Sequence, residues 1–219
     1  MRLIQRTELV SRRRPKLGLW LYVSSIQYFL IQILVAQQWS PPYSIAYDTI
    51  SDLGNTTCGT FNRRFVCSPW HSLMNVSFLA LGAAMIGGSL LLRHQYARSR
   101  TGTAGFSLLA VSGLGVVLVG IFPENSVPAL HGIGAAAPFV LGNIAIIVLG
   151  GILPVPIVLR LYSFLSGAVA LVALGCYATS HDLGLGEGGI ERVVAYPQTI
   201  WLLIIGLDRL TRRSGKAVT

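Results

Sequence analysis

The sequence predicts an all-α polytopic membrane protein, a bundle of six transmembrane helices with both termini cytoplasmic. Three observations lead there. Of 219 residues, 53% are hydrophobic and only 11% charged, where a soluble domain averages about 25% charged. The uncharged residues fall into six runs, each near the roughly 20 residues that cross the hydrocarbon of a bilayer. The charges between the runs then sort by side. With the N-terminus inside, one side collects Arg2, Arg6, Arg12, Arg13, Arg14, Lys16, Arg93, Arg98, Arg100, Arg160, Arg209, Arg212, Arg213 and Lys216, which is 14 of the 17 basic residues. The other side collects Asp48, Asp52, Glu124, Asp182, Glu187 and Glu191, six of the eight acids, with His71, His131 and His181. A Lys/Arg excess in short loops marks the cytoplasmic face. The chain is therefore expected in the cell membrane, with its titratable groups gathered on the extracytoplasmic side.

The elements follow in order. Residues 1–16 read as a basic cytoplasmic arm, and 17–210 as the transmembrane domain. The first helix is expected over 17–38, with Trp20, Tyr22 and Trp39 as interfacial aromatics. No small-x-small cleavage site follows it, so it reads as a span rather than a removable signal. Gln27 and Gln32 within it should face other helices, since lipid offers an amide no partner. Residues 39–69 form the one long outer loop. Further helices are expected over 70–92, 104–122, 129–153, 157–179 and 190–210, followed by a basic tail at 211–219. Gly and Ala are abundant in the second to fifth helices, where small side chains let backbones approach in lipid. Asp208 should pair with Arg212 four residues on. The net charge of +9 reflects orientation and attraction to anionic lipid. Membrane lipids, not nucleic acid, are the expected partners.

Cys58 and Cys67 share the outer loop. In an oxidising exterior they read as a disulfide. A metal pair is the alternative, although C-x8-C is not a metal-knuckle spacing.

Each outer connection contributes polar residues: Asp48, Ser51, Asp52 and Asn55 from the long loop, and His71 and Asn75 on one face of the second helix. Glu124 and His131 come from the second outer turn, and Glu191, Arg192 and Tyr196 from the start of the sixth helix. Only 15 uncharged residues separate Arg192 from Asp208, which sets Glu191 and Arg192 at the membrane boundary or inside it, where an unpaired charge is costly. Three readings compete. These residues can line a pocket for a polar ligand, foremost a lipid head group. They can be structural, as caps and ion pairs, with Ser51 or Asp52 capping the Ser51-Asp52-Leu53-Gly54 turn. Or His71, His131 and His181, with Asp52 or Glu191, can hold a zinc ion. On that last reading the protein is a metal-dependent hydrolase or transferase acting on lipid, with Asp52, His71, His131 and Glu191 as catalytic candidates. A serine nucleophile finds little support, because none of Ser51, Ser68, Ser72 and Ser126 sits in a G-x-S-x-G context. The glycines at 184–189 follow no strand and lie in an outward-facing loop, so a nucleotide loop finds little support. A transporter needs a polar path past mid-membrane, for which only Gln27, Gln32 and Asn143 offer themselves.

Several of these residues carry a resemblance. Six spans, Ile50-Ser51-Asp52-Leu53-Gly54-Asn55 in the first outer loop, and His71 and Asn75 opening the second helix form its first half. Phe122-Pro123 with His131, and Glu191-Arg192 with Tyr196-Pro197, form the second. Together they resemble the bacterial and archaeal membrane family called domain of unknown function 998, over about residues 17–210. More distantly, Ile50-Ser51-Asp52-x-Gly54 is similar to a turn in the eukaryotic Frag1/DRAM/Sfk1 six-helix proteins, a resemblance that implies a connection with lipids. The first family implies no activity.

Overall fold

A computed structural model describes residues 15–215. Six helices dominate it: α1 (Pro15–Ala36), α2 (His71–Tyr96), α3 (Arg100–Ile121), α4 (Pro128–Ile152), α5 (Ile157–Ala178) and α6 (Glu187–Gly215). Each is long and apolar enough to cross a membrane. Most of the basic arm, including Arg2, Arg6 and Arg12 to Arg14, and Lys216 in the tail lie outside the described residues. The expected tail at 211–219 begins as helix, since α6 runs on to Gly215. Near its end Arg212 Nε donates to Asp208 Oδ1 at 2.8 Å, the expected i,i+4 pair.

Hydrophobicity alone does not hold helices together in lipid, so the contacts between them matter. α2 and α3 form the most extensively packed pair. They meet at Gly82 and Gly113, where a side chain on either would strike the other's carbonyl oxygen, at 2.6 and 2.8 Å. Gly115 and Gly134 bring α3 and α4 together in the same way. Buried polar side chains then tie distant helices. Gln27 and Ser77 bond reciprocally, Tyr196 Oη donates to Gln32 Oε1 at 2.8 Å, and Asn143 Nδ2 donates to the Val194 carbonyl at 3.0 Å. The two glutamines thus face other helices as expected, and Gln27, Gln32 and Asn143 all bond across helices. Tyr22, Phe106 and Trp201 fill the centre, with Trp201 Nε1 donating to Ser163 Oγ at 2.8 Å. Large apolar side chains such as Ile133, Leu165 and Val172 cover the flanks. A belt of that kind suits lipid, not water.

Two departures shape the loop end of the bundle. α4 is interrupted by a π turn over Pro138–Gly142. Proline cannot donate in the helix ladder, and Asn143 Nδ2 takes up the Phe139 carbonyl at 2.9 Å. Beyond this turn α4 packs along α5, whereas its first half, Pro128–Ala137, stands away from α5. The second departure lies in the long loop, which is not irregular throughout. It holds a 3-10 turn, Ser51–Gly54, and a hairpin of β1 (Gly59–Phe61) and β2 (Arg64–Val66). Asn62 and Arg63 both have positive φ, the geometry of a two-residue type I′ hairpin turn. Cys58 and Cys67 are joined as a disulfide at the open end of this hairpin.

Candidate functional site

The loop end is organised around the 3-10 turn. Thr49 Oγ1 accepts from the Asp52 amide at 3.0 Å, and Asp52 Oδ2 accepts from the Thr49 amide at 2.7 Å. This is the reciprocal logic of a capping box. Thr49, rather than Ser51 or Asp52, therefore supplies the capping oxygen. Ser68 Oγ and Asn75 Nδ2 hold the Leu53 and Gly54 carbonyls against the start of α2, at 2.7 and 2.9 Å.

Two arginines lock the turn in place. Arg64, delivered by β2, sets Nη1 3.0 Å from Asp52 Oδ2 and 3.8 Å from Asp48 Oδ1, and Nη2 3.4 Å from Glu187 Oε2. The hairpin thus carries a cation into an acidic environment. Arg192, from α6, donates through Nη1 to the Ile45, Asp48 and Gly188 carbonyls at 2.7–2.9 Å and through Nη2 to the Tyr43 hydroxyl. Burial raises the Tyr43 pKa, so the phenol stays protonated and donates to the Asp48 and Thr49 carbonyls. Gly188 permits this bridge, because a side chain there would lie 2.1 Å from the Asp48 carbonyl oxygen. Arg192, expected among ligand-binding residues, bonds backbone carbonyls and the Tyr43 hydroxyl.

The other face of the turn borders a cavity of about 300 Å³. Ser51, Glu124, His131, Glu187 and Glu191 line its polar side, and Ala135, Ala136, Phe139, Leu174 and Tyr177 its apolar side. It lies where α4 and α5 stand apart. Gly132, Ala136 and Ala178 at its edge are exposed, so the cavity is a cleft that opens sideways between the two helices.

Its polar groups are closely linked. Ser51 Oγ lies 2.9 Å from His131 Nε2 and 3.4 Å from Glu191 Oε1. His131 Nδ1 lies 2.9 Å from the Phe122 carbonyl, and Glu191 Oε2 accepts from the Ile50 amide at 2.5 Å. The Glu124 pKa is pushed up to about 9, chiefly by burial and then by the Asp52 carboxylate within hydrogen-bonding range. Asp52 Oδ1 is buried without a hydrogen-bond partner. Glu124 is held protonated at neutral pH beside the Asp52 carboxylate.

The structure thus brings four of the sequence-predicted residues, Ser51, Glu124, His131 and Glu191, to one cleft. Asp48, Asp52, Asn55 and Arg192 stand behind it as scaffold. Asn55 Nδ2 reaches Glu124 Oε1 at 3.4 Å, and its Oδ1 accepts from the Thr57 amide. Asn75 and Tyr196 serve the loop and α1. The three histidines do not converge: His71 faces the Ser72 hydroxyl, and His181 bonds Thr179 on the exposed rim. Among the described residues no group of three or more His, Cys, Asp or Glu is placed to hold a metal ion. Arg64 and Tyr43 were not singled out from the sequence. The signal for Arg64 was the cysteine pair, which closes a hairpin too short to do anything but present its turn.

No curated protein and no solved structure matches the chain, and the likeness to the Frag1/DRAM/Sfk1 proteins gains no support. A family model described as "Protein of unknown function (DUF998)" matches residues 23–208. That interval runs from within α1 to the far end of α6 and takes in every residue of the cleft, so the chain belongs to the DUF998 family.

Proposed function

We propose that the protein binds a membrane lipid in the cleft between α4 and α5, with the head group against Ser51, His131 and Glu191 and the tails in the bilayer. The observation that carries this reading is the sideways opening of a polar-floored cavity at one end of a membrane-spanning bundle. A lipid enters such a site without leaving the membrane. The charge pattern narrows the head group. Glu187 and Glu191 border the cleft beside a protonated Glu124, while Arg64 and Arg192 are consumed by carboxylates and carbonyls. An amine or a polyol, rich in donors, fits this lining, and a bare phosphate does not.

We further place the cleft on the extracytoplasmic side, with both termini cytoplasmic, in the cell membrane. The basic residues of the opposite end and a disulfide in the long loop support that placement. In a Cys176→Ser background, a membrane-impermeant maleimide should label Cys58 and Cys67 on intact, reduced cells. Labelling only after lysis would reverse the orientation.

Lipid mass spectrometry of detergent-purified protein tests the binding. An amine- or sugar-headed lipid should co-purify near one per chain. Gly132→Trp should abolish it without unfolding the protein, because nothing lies within 4 Å of the position a side chain would take there. A wild type carrying no lipid, or one whose lipid survives Gly132→Trp, refutes the reading.

A further inference from the structure

His131 Nδ1 faces a backbone carbonyl, which only accepts, so Nδ1 carries a proton. In the neutral ring Nε2 is then the acceptor, and the Ser51 hydroxyl 2.9 Å away donates to it. That is the hydrogen bond between a nucleophile and its general base. The Phe122 carbonyl takes the place that an aspartate fills in a serine triad, fixing tautomer and ring orientation. The two partners are 80 residues apart in sequence, and each is rigidly mounted. Asp52 and Arg64 clamp the turn that carries Ser51. The Gly115–Gly134 contact seats the turn of α4 that carries His131.

The surroundings suit charge development. Glu191 Oε1 lies 3.4 Å from Ser51 Oγ, and Glu191 lines the same cleft. Negative charge there favours the imidazolium that forms when Ser51 loses its proton. A second, inner cavity of about 40 Å³ lies behind Ser51 and Glu191, among Ile50, Ala135 and Phe139. At roughly 10–15 Å³ per water, it has room for more than one.

We propose that Ser51 is a nucleophile activated by His131, and that the protein transfers or hydrolyses an acyl group of an ester lipid seated in the cleft. This rests on the lipid-binding reading above. Ser51 Oγ bonds to the ester carbonyl carbon while its proton passes to His131 Nε2. The bond from that carbon to the alkoxy oxygen breaks, and the leaving oxygen takes the proton from Nε2 and departs as an alcohol. A water, or the hydroxyl of a second lipid, then attacks the Ser51 ester and gives its proton to Nε2. The carbonyl–Oγ bond breaks, Oγ recovers the proton, and a fatty acid or a new ester leaves.

A long-chain alkyl fluorophosphonate, added to the purified full chain, tests this. Peptide mass mapping should find the adduct on Ser51, with fluoride as the leaving group. His131→Asn should slow its formation by about 10²-fold or more, and Ser51→Ala should abolish it. A merely structural hydrogen bond predicts no adduct. No Ser51 adduct in the folded wild type, or equal rates in wild type and His131→Asn, overturns the proposal whether or not Ser51→Ala folds. Lipid analysis of the same samples separates the two ideas. Lipid retained without an adduct ends the nucleophile alone, and lipid absent from the wild type ends the binding reading.

Discussion

Asp52 and Glu191 are both buried beside the Ser51–Gly54 turn, at 0% and 3% exposure, yet their circumstances are opposite. Asp52 receives the Thr49 amide and the Arg64 guanidinium on one oxygen, and Glu124 lies against the carboxylate. Glu191 receives the Ile50 amide on one oxygen, its other oxygen lies 3.4 Å from Ser51 Oγ, and no cation lies within 4 Å of it among the described residues. Arg192 is its neighbour in sequence, but its guanidinium points into the loop carbonyls. A buried charge without its partners is costly. A carboxyl tied to a loop amide and a guanidinium holds the loop, and one bordering a cleft without a cation is a site for something that comes and goes.

That contrast can be broken experimentally. The largest effect is expected from Arg64→Ala, which leaves Asp52 buried and without its cation. The loss should be about 3–5 kcal/mol, read as a fall in thermal stability in detergent. An unchanged unfolding temperature would show that the hairpin is ornamental. Next comes a pH effect through Glu124. Its native pKa of about 9 stands above the ordinary 4.5, so folding favours its protonated form. The stability it contributes is complete below about pH 4.5 and is lost as pH rises toward 9. Glu124→Gln should flatten this group's share of the decline between about pH 4.5 and 9, and parallel stability curves for variant and wild type would count against the raised pKa. The smallest effect is expected at Glu191. Glu191→Gln keeps an acceptor for the Ile50 amide and strands no arginine, so stability should move by about 1 kcal/mol at most, the scale of one hydrogen bond. A loss as large as that of Arg64→Ala would place Glu191 in the scaffold.

The residue pattern made most of the fold legible. Apolar runs of membrane-crossing length marked all six helices, and Gln27 and Gln32 were read as facing inward because lipid leaves an amide no alternative. Ser51, Glu124, His131 and Glu191 were all among the residues that the charge pattern singled out. Their division of labour was not legible. Arg192 looked like a ligand-binding cation until its partners were seen to be carbonyls of a loop 144 to 147 residues away. Arg64 gains its role only because the hairpin aims it at Asp52.

Composition, hydrophobic period and the spacing of cysteines are local properties, and each carries its own physical consequence. A run too apolar for water becomes a span, and two cysteines beside a tight turn close a hairpin. They determined the six helices, the disulfide and the concentration of acids and histidines at one end. The pairing of Ser51 with His131 and of Asp52 with Arg64, the lack of a cation beside Glu191, and the gap between α4 and α5 were decided only in three dimensions. They depend on which face of each helix turns inward and how closely glycines let the backbones approach, distances that no window of sequence contains.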